Sequence, residues 1–176
     1  MKKSLLVILF LFQVLSLKSA ECLDLPEGCF PDYIGNDRNF LLCTARLECA
    51  FYIDKKSLVI QKYDPPIYTL AVNLVQVAND DAQLRDVKTI YFMYKLKPRS
   101  MFVLKDGSWH HLSAVYEYEL IDNIDIELTR AGEMAFYIAY KMKFYGDRDW
   151  INSRTREIRK SVVDDDKIYL IVDGAK

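Results

Sequence analysis

The chain has 176 residues, 51% hydrophobic, 28% charged and 13% aromatic, with six Gly and five Pro. That excludes a disordered or collagen-like chain and suffices for one cored domain. A formal charge of −1 argues against a nucleic-acid binder. Two histidines and four cysteines leave little material for a metal enzyme, so no cofactor is expected.

Lys2 and Lys3 precede an apolar run over residues 5–17, broken by Gln13 and Ser16. The run is shorter than the roughly 20 residues that span a bilayer. Small residues, Ser19 and Ala20, follow it. This is the layout of a secretory signal peptide, which assigns residues 1–20 to a leader and 21–176 to a single α+β domain. The cut site stays open, because cleavage after Ala20 puts Lys18 at the −3 position and cleavage after Ser16 puts Val14 there. The alternatives are an uncleaved anchor or a lipid-modified Cys22, the latter disfavoured by Glu21. Losing residues 1–20 removes Lys2, Lys3 and Lys18 and no acid, leaving 21 basic and 25 acidic residues, a net of −4. No later stretch is apolar for long enough to form a transmembrane segment. The expected location is exported: periplasmic, cell-surface or secreted.

Cys22, Cys29, Cys43 and Cys49 follow the leader within one short window. An even number in an oxidising compartment reads as disulfides pinning the N-terminal segment 21–49. Cys22–Cys29 with Cys43–Cys49 is the most local connectivity, and the crossed pairings would close longer loops. Zinc needs closer pairs. A nucleophilic cysteine needs a base, and the histidines, His110 and His111, are far along the chain.

Strand-like runs occupy residues 40–44, 49–53 and 58–61, with a polar break at 54–57 between the last two. Pro65 and Pro66 stop the third run. Residues 67–78 form a long Val- and Leu-rich strand, 79–86 a charged connection, and 89–95 an aromatic–aliphatic strand. Asp106-Gly107 between two apolar runs predicts a two-residue hairpin pairing Leu104 with Trp109 and Phe102 with His111.

After an acidic stretch over 116–128, Met134, Ile138, Met142 and Tyr145 recur at helical spacing, with Phe136, Tyr140 and Phe144 as a second row. This predicts a helix over 131–145, with Thr129 as N-cap and Gly146 as stop. Residues 152–160 form a short second helix, and 168–172 a closing strand. Strands followed by a helix give α+β: an antiparallel meander of five or six strands with the C-terminal helix 131–145 packed on one face.

The chemistry-bearing motifs are sparse. No phosphate-binding glycine loop, nucleophile turn or metal helix is present. His110 and His111 point to opposite faces of a strand. Glu117, Glu119, Asp122, Asp125 and Glu127 offer an acid–base pair or a solvated face. Asp164, Asp165 and Asp166 lack calcium-loop spacing. Arg148, Arg154, Arg156, Arg159 and Lys160 form a basic cluster suited to an anionic polymer, or to pairing with the neighbouring acids. Twelve tyrosines exceed what one core needs. Tyrosine favours surfaces packed on one side and wet on the other. Tyr91, Tyr94, Tyr116 and Tyr118 are the candidate partner strip, with Arg154, Arg156 and Arg159 beside them.

The stretch Phe51-Tyr52-Ile53-Asp54-Lys55-Lys56-Ser57-Leu58, with the strand that follows to Ala78, resembles bacterial surface-adhesin protein E-like exported proteins. About 30 residues carry the likeness. It implies a small antiparallel sheet with a helix and a non-enzymatic, adhesin-like role, and carries over no binding residue. The expected function is therefore a non-catalytic binding or surface-interaction module of the cell envelope, its partner an unknown protein or glycan. The alternatives are a secreted hydrolase or hydrolase inhibitor using the 116–128 carboxylates, or a subunit of an envelope complex.

Overall fold

The computed structural model describes residues 30–45, 49–78, 84–114, 126–146, 149–151, 158–161, 163 and 167–174, with backbone alone over 149–151 and 158–160. Six strands form one antiparallel sheet in sequence order: β1 (Phe40–Ala45), β2 (Cys49–Asp64), β3 (Ile67–Ala78), β4 (Leu84–Leu96), β5 (Arg99–Lys105) and β6 (Ser108–Leu112). This is the expected meander, and the helix α1 (Ile126–Tyr140) covers one face of it. A separate two-stranded ribbon pairs β7 (Asp149–Ile151) with β8 (Ile158–Lys160), and α2 (Lys167–Asp173) follows.

The strands are staggered. β1 pairs with the Ala50–Asp54 end of β2, whereas β5 pairs with the Phe92–Leu96 end of β4. Tyr68, Leu70 and Val72 of β3 pair with Tyr94, Phe92 and Ile90 of β4. Phe92 and Tyr94 pair in turn with Val103 and Met101 of β5. Leu70, Phe92, Tyr94 and Met101 are wholly buried on this face, and Phe136 of α1 lies against it. The Phe136 ring sits 5.8 Å from Tyr68, 4.8 Å from Tyr94 and 5.1 Å from Phe144, at the tilted and edge-on angles aromatic quadrupoles favour. Residues 131–136 of α1 are buried all round, as a helix pressed between a sheet and a second helix must be.

Tyrosine hydroxyls tie the layers together. Tyr94 donates to the Gly132 carbonyl (2.8 Å), Tyr33 to Ile171 (3.0 Å) and Tyr52 to Pro31 (3.0 Å). The Tyr145 hydroxyl accepts from the Met101 N–H (2.7 Å) and donates to the Leu112 carbonyl (3.1 Å). Burial pushes the Tyr94 and Tyr145 phenols well above their ordinary range, which keeps both as neutral donors. The tyrosine surplus is therefore largely internal bracing.

The hairpin forms in the expected register, Leu104 against Trp109 and Phe102 against His111, with Asp106 (φ 49°) and Gly107 (φ 76°) both left-handed. Other expectations are corrected. The polar break at 54–57 does not end a strand: β2 runs through it as a bulge, where Ser57 Oγ donates to the Asp54 carbonyl (2.7 Å) and accepts from Asn73 N–H (2.8 Å). α1 begins at Ile126, so Thr129 lies inside it and is no N-cap. The helix ends at Tyr140, not at Gly146: Lys141 turns left-handed (φ 54°) while its N–H still reaches the Tyr137 carbonyl (2.8 Å). Residues 168–172 are helix, not strand. Ile168, Tyr169, Ile171 and Val172 are buried while Leu170 is exposed, a spacing with helical period. The expected helix over 152–160 is contradicted at its described end, which is the strand β8. Residues 152–157 lie outside the described residues, as do the leader and most of the acidic stretch 116–128.

Cys43 and Cys49 both carry free thiols, so the local Cys43–Cys49 bridge is not formed. Register explains why. Ala45 pairs with Ala50 and Thr44 with Phe51, and Cys43 sits in the bulge between Leu42 and Thr44, so Cys49 lies two to three residues along the strand from the point facing Cys43. That is about 7–10 Å along the strand, beyond the ~6.8 Å limit for disulfide Cα atoms. Cys22 and Cys29 lie outside the described residues.

Candidate functional site

α1 lies on one side of the sheet; on the other, more open side Val59, Tyr91 and Trp109 are exposed while Ala71, Val75 and Val77 are buried. Alternation along β3 and β4 sends Ala71, Tyr91 and Met93 to that open side. Val59 pairs with Ala71, and Ala71 with Tyr91. The β4–β5 ladder ends at the Phe92–Val103 pair, one residue short of Tyr91, and Leu104 pairs with Trp109. Val59, Ala71 and Tyr91 thus form one row across three strands, and Leu104 and Trp109 a pair across the next two on the same side of the sheet. Val59 is 50% exposed, Tyr91 39% and Trp109 40%.

The next row along the strands holds Lys62, Thr69, Met93, Phe102 and His111, joined by successive pairs. The Phe102 and His111 rings meet edge-on at 5.4 Å, and Lys95 Nζ lies 4.9 Å over the Phe102 ring. Partial burial lowers the His111 pKa, so the ring is neutral at physiological pH and can accept as well as donate. On the far side of the first row, Thr89 Oγ1 donates to Asn73 Oδ1 (2.8 Å). These residues form a strip, apolar at Val59, Tyr91 and Trp109 and mixed along the row that holds Met93 and Phe102.

Of the expected partner residues, Tyr91 lies on this strip. Tyr94 does not: three positions away on the same strand, it points to the opposite face and is fully buried, bonded to Gly132. Tyr116, Tyr118, Arg154 and Arg156 lie outside the described residues, and Arg159 is placed by its backbone in β8. Sequence reasoning missed Val59, Met93, Phe102 and Trp109. The hairpin register already placed Phe102 beside His111 and Leu104 beside Trp109, and carrying that pairing into the preceding strand would have found the rows.

Glu133 is the other notable group, a fully buried carboxylate. Its Oε1 accepts from Phe144 N–H (2.6 Å), Gly146 N–H (3.4 Å) and the Tyr169 hydroxyl (2.7 Å), and its Oε2 from Tyr145 N–H (2.8 Å). Burial raises its pKa, against the pull of those donors. A buried, perturbed acid can mark catalysis. Here both oxygens are committed to the chain that follows α1, and the side chain has no exposed surface. Glu133 is a fastener. No group of three potential metal ligands occurs among the described residues, and no described helix is long and apolar enough to cross a membrane.

No family model matches the chain, and neither a curated protein nor a solved structure is found similar to it.

Proposed function

We propose that this protein is an exported, non-catalytic binding module that meets its partner with the open face of its sheet. One observation carries the reading: Val59, Tyr91 and Trp109, all substantially exposed, lie on the same side of the sheet, Val59 and Tyr91 in one cross-strand row. On the solvated side of an antiparallel sheet, alternate positions are ordinarily polar. A run of aromatic and aliphatic side chains there serves contact with something else. The basic start, apolar run and small residues of the first twenty positions support export, and an oxidising destination favours a Cys22–Cys29 bridge.

The test is capture. Processed protein, immobilised, is exposed to detergent-solubilised cell-surface material alongside a Tyr91→Ala/Trp109→Ala variant. The wild type is expected to retain a component that the variant loses, with both proteins still folded by circular dichroism at the assay temperature. Equal retention by the two would remove the face from the function.

A further inference from the structure

Two long strands are covered unequally on their two edges. β3 pairs with β4 over residues 84–95, but β5 pairs with it only over 92–96, and among the described residues no strand lies beside that second edge at 84–91. β2 likewise runs on past the end of β1, over residues 57–64. An open edge presents N–H and C=O groups in line, and the complement of such a row is another extended backbone.

The two edges are kept differently. β2 is guarded: two bulges interrupt its ladder to β3, and Pro65 and Pro66 follow it. The β4 ladder to β3 runs without a bulge from the Ile67–Lys95 pair to the Gln76–Asp86 pair, so residues 86–91 form a regular edge. Leu84 is 61% exposed on it and Val87 48%.

The sequence of this edge complements itself. Two copies of one strand pair antiparallel about a two-fold axis normal to the sheet, which keeps every side chain on its own face. The axis must then fall at a residue, not between two. At Arg85, Asp86 or Lys88 it sets like charges opposite each other, which is destabilising. At Thr89 it runs the pairing into Phe92, which β5 already holds. At Val87 it sets Val87 opposite itself, Asp86 opposite Lys88 of the second copy, and Leu84 opposite Ile90. Asp86 and Lys88 bond within one chain at 2.7 Å, so both lie on one face, as those cross-strand pairs require. In this register the pairing covers residues 84–90 and stops short of Phe92, so the second copy and β5 share the edge without overlap. Seven residues so paired gain about six to eight backbone hydrogen bonds.

From this we infer that the protein forms a two-fold dimer, the edge of β4 at residues 84–90 pairing with the same edge of a second copy. The contact is one strand pair deep, well short of the roughly 800 Å² that a stable dimer buries on each partner. The dimer is therefore reversible, with a dissociation constant on the order of 10–100 μM.

Sedimentation velocity of the processed protein tests this, at concentrations bracketing that value and with a reductant present so that Cys49 cannot crosslink it. The expected result is a shift from monomer to dimer across the range. Asp86→Lys and Lys88→Asp should each weaken association about tenfold or more, with circular dichroism unchanged. The double variant Asp86→Lys/Lys88→Asp restores opposite charges across the axis and should dimerise as the wild type does. An equimolar mixture of the two single variants should form a heterodimer, since lysines then face aspartates throughout. Protein that stays monomeric across the range overturns the dimer. Association that survives both single swaps, or that neither the double swap nor the mixture restores, overturns this edge and its register.

Discussion

Removing the Glu133 carboxylate should cost more than any surface change, because three strong donors depend on it. In Glu133→Ala the Phe144 and Tyr145 N–H groups and the Tyr169 hydroxyl, now held at 2.6, 2.8 and 2.7 Å, lose their acceptor inside the protein. Each buried orphan costs about 1–3 kcal/mol. Relief of the carboxylate's own burial offsets part of this, and the low end of the range gives a net loss of about 3 kcal/mol. Against a typical total of ~5–15 kcal/mol that is a large fraction. Glu133→Gln keeps one oxygen for Phe144 and Tyr169 but turns an amide N–H toward the Tyr145 N–H, and should cost about 1 kcal/mol. Urea unfolding followed by circular dichroism measures both. pH supplies a second axis. Burial raises the Glu133 pKa above 4.5, so the folded state holds the proton more tightly than the unfolded chain. The stability from this linkage is complete below the unfolded value and is lost as pH rises through the folded one. The stability of the wild type relative to Glu133→Gln should therefore fall as pH is raised from below 4.5 toward neutrality. An alanine variant within 0.5 kcal/mol of wild type, the scale of an ordinary surface change, would refute the fastener role. A wild-type advantage that grows with pH would show that the donors outweigh burial.

Two glycines should fail for different reasons. A Cβ at Gly146 would run into the Tyr169 hydroxyl, so Gly146→Ala should lose about 1–3 kcal/mol by displacing Tyr169 from Glu133. Gly107 has open space around it but a φ of 76°, so Gly107→Ala should lose about 1–2 kcal/mol through conformation alone, and Gly107→Asn should recover part of it. Thermal unfolding of the three variants checks the ordering. Cys43 is 1% exposed and burial pushes its thiol up to about 12, so iodoacetamide should label it only after unfolding, while half-buried Cys49 reacts in the native protein. Peptide mapping of singly alkylated protein decides this, and native labelling of Cys43 would contradict its placement.

The meander was legible because its signals are local. Asp106-Gly107 fixes a turn by backbone sterics, and alternation on either side of it fixes the register. The helix was legible in kind but not in position. Phe144 and Tyr145 continue the apolar rows of α1 beyond its end, since both pack on its surroundings from the following loop. Periodicity cannot separate a helix from a loop that returns to the same core. Residues 168–172 misled for the opposite reason: a short run of Ile, Tyr, Leu and Val favours strand, and tertiary packing on α1, through Tyr137–Tyr169 at 4.9 Å, overrides it. Glu133 reads as a surface residue in any pattern, because its backbone donors come 11 to 13 positions later and its hydroxyl donor, Tyr169, 36 positions later.

The strip itself has a competing explanation, namely that its residues stabilise the sheet. Cross-strand aromatic and aliphatic pairs contribute roughly 0.2–1 kcal/mol each, and Phe102–His111 and Leu104–Trp109 are such pairs. If sheet stability explained these side chains, a β-branched polar residue at Trp109 or Tyr91 would preserve most of the benefit, since threonine favours strands as well. Stability alone also gives no reason for Val59, Tyr91 and Trp109 to stand exposed on the same side of the sheet, because pair energies are felt between neighbouring strands only. Trp109→Thr separates the two accounts. On the stability account it lowers the melting temperature and leaves ligand binding intact in proportion to the folded fraction. On the contact account ligand affinity falls far more than the folded fraction does; some drop in melting follows on either account, because a side chain 40% exposed still buries the larger part of its surface.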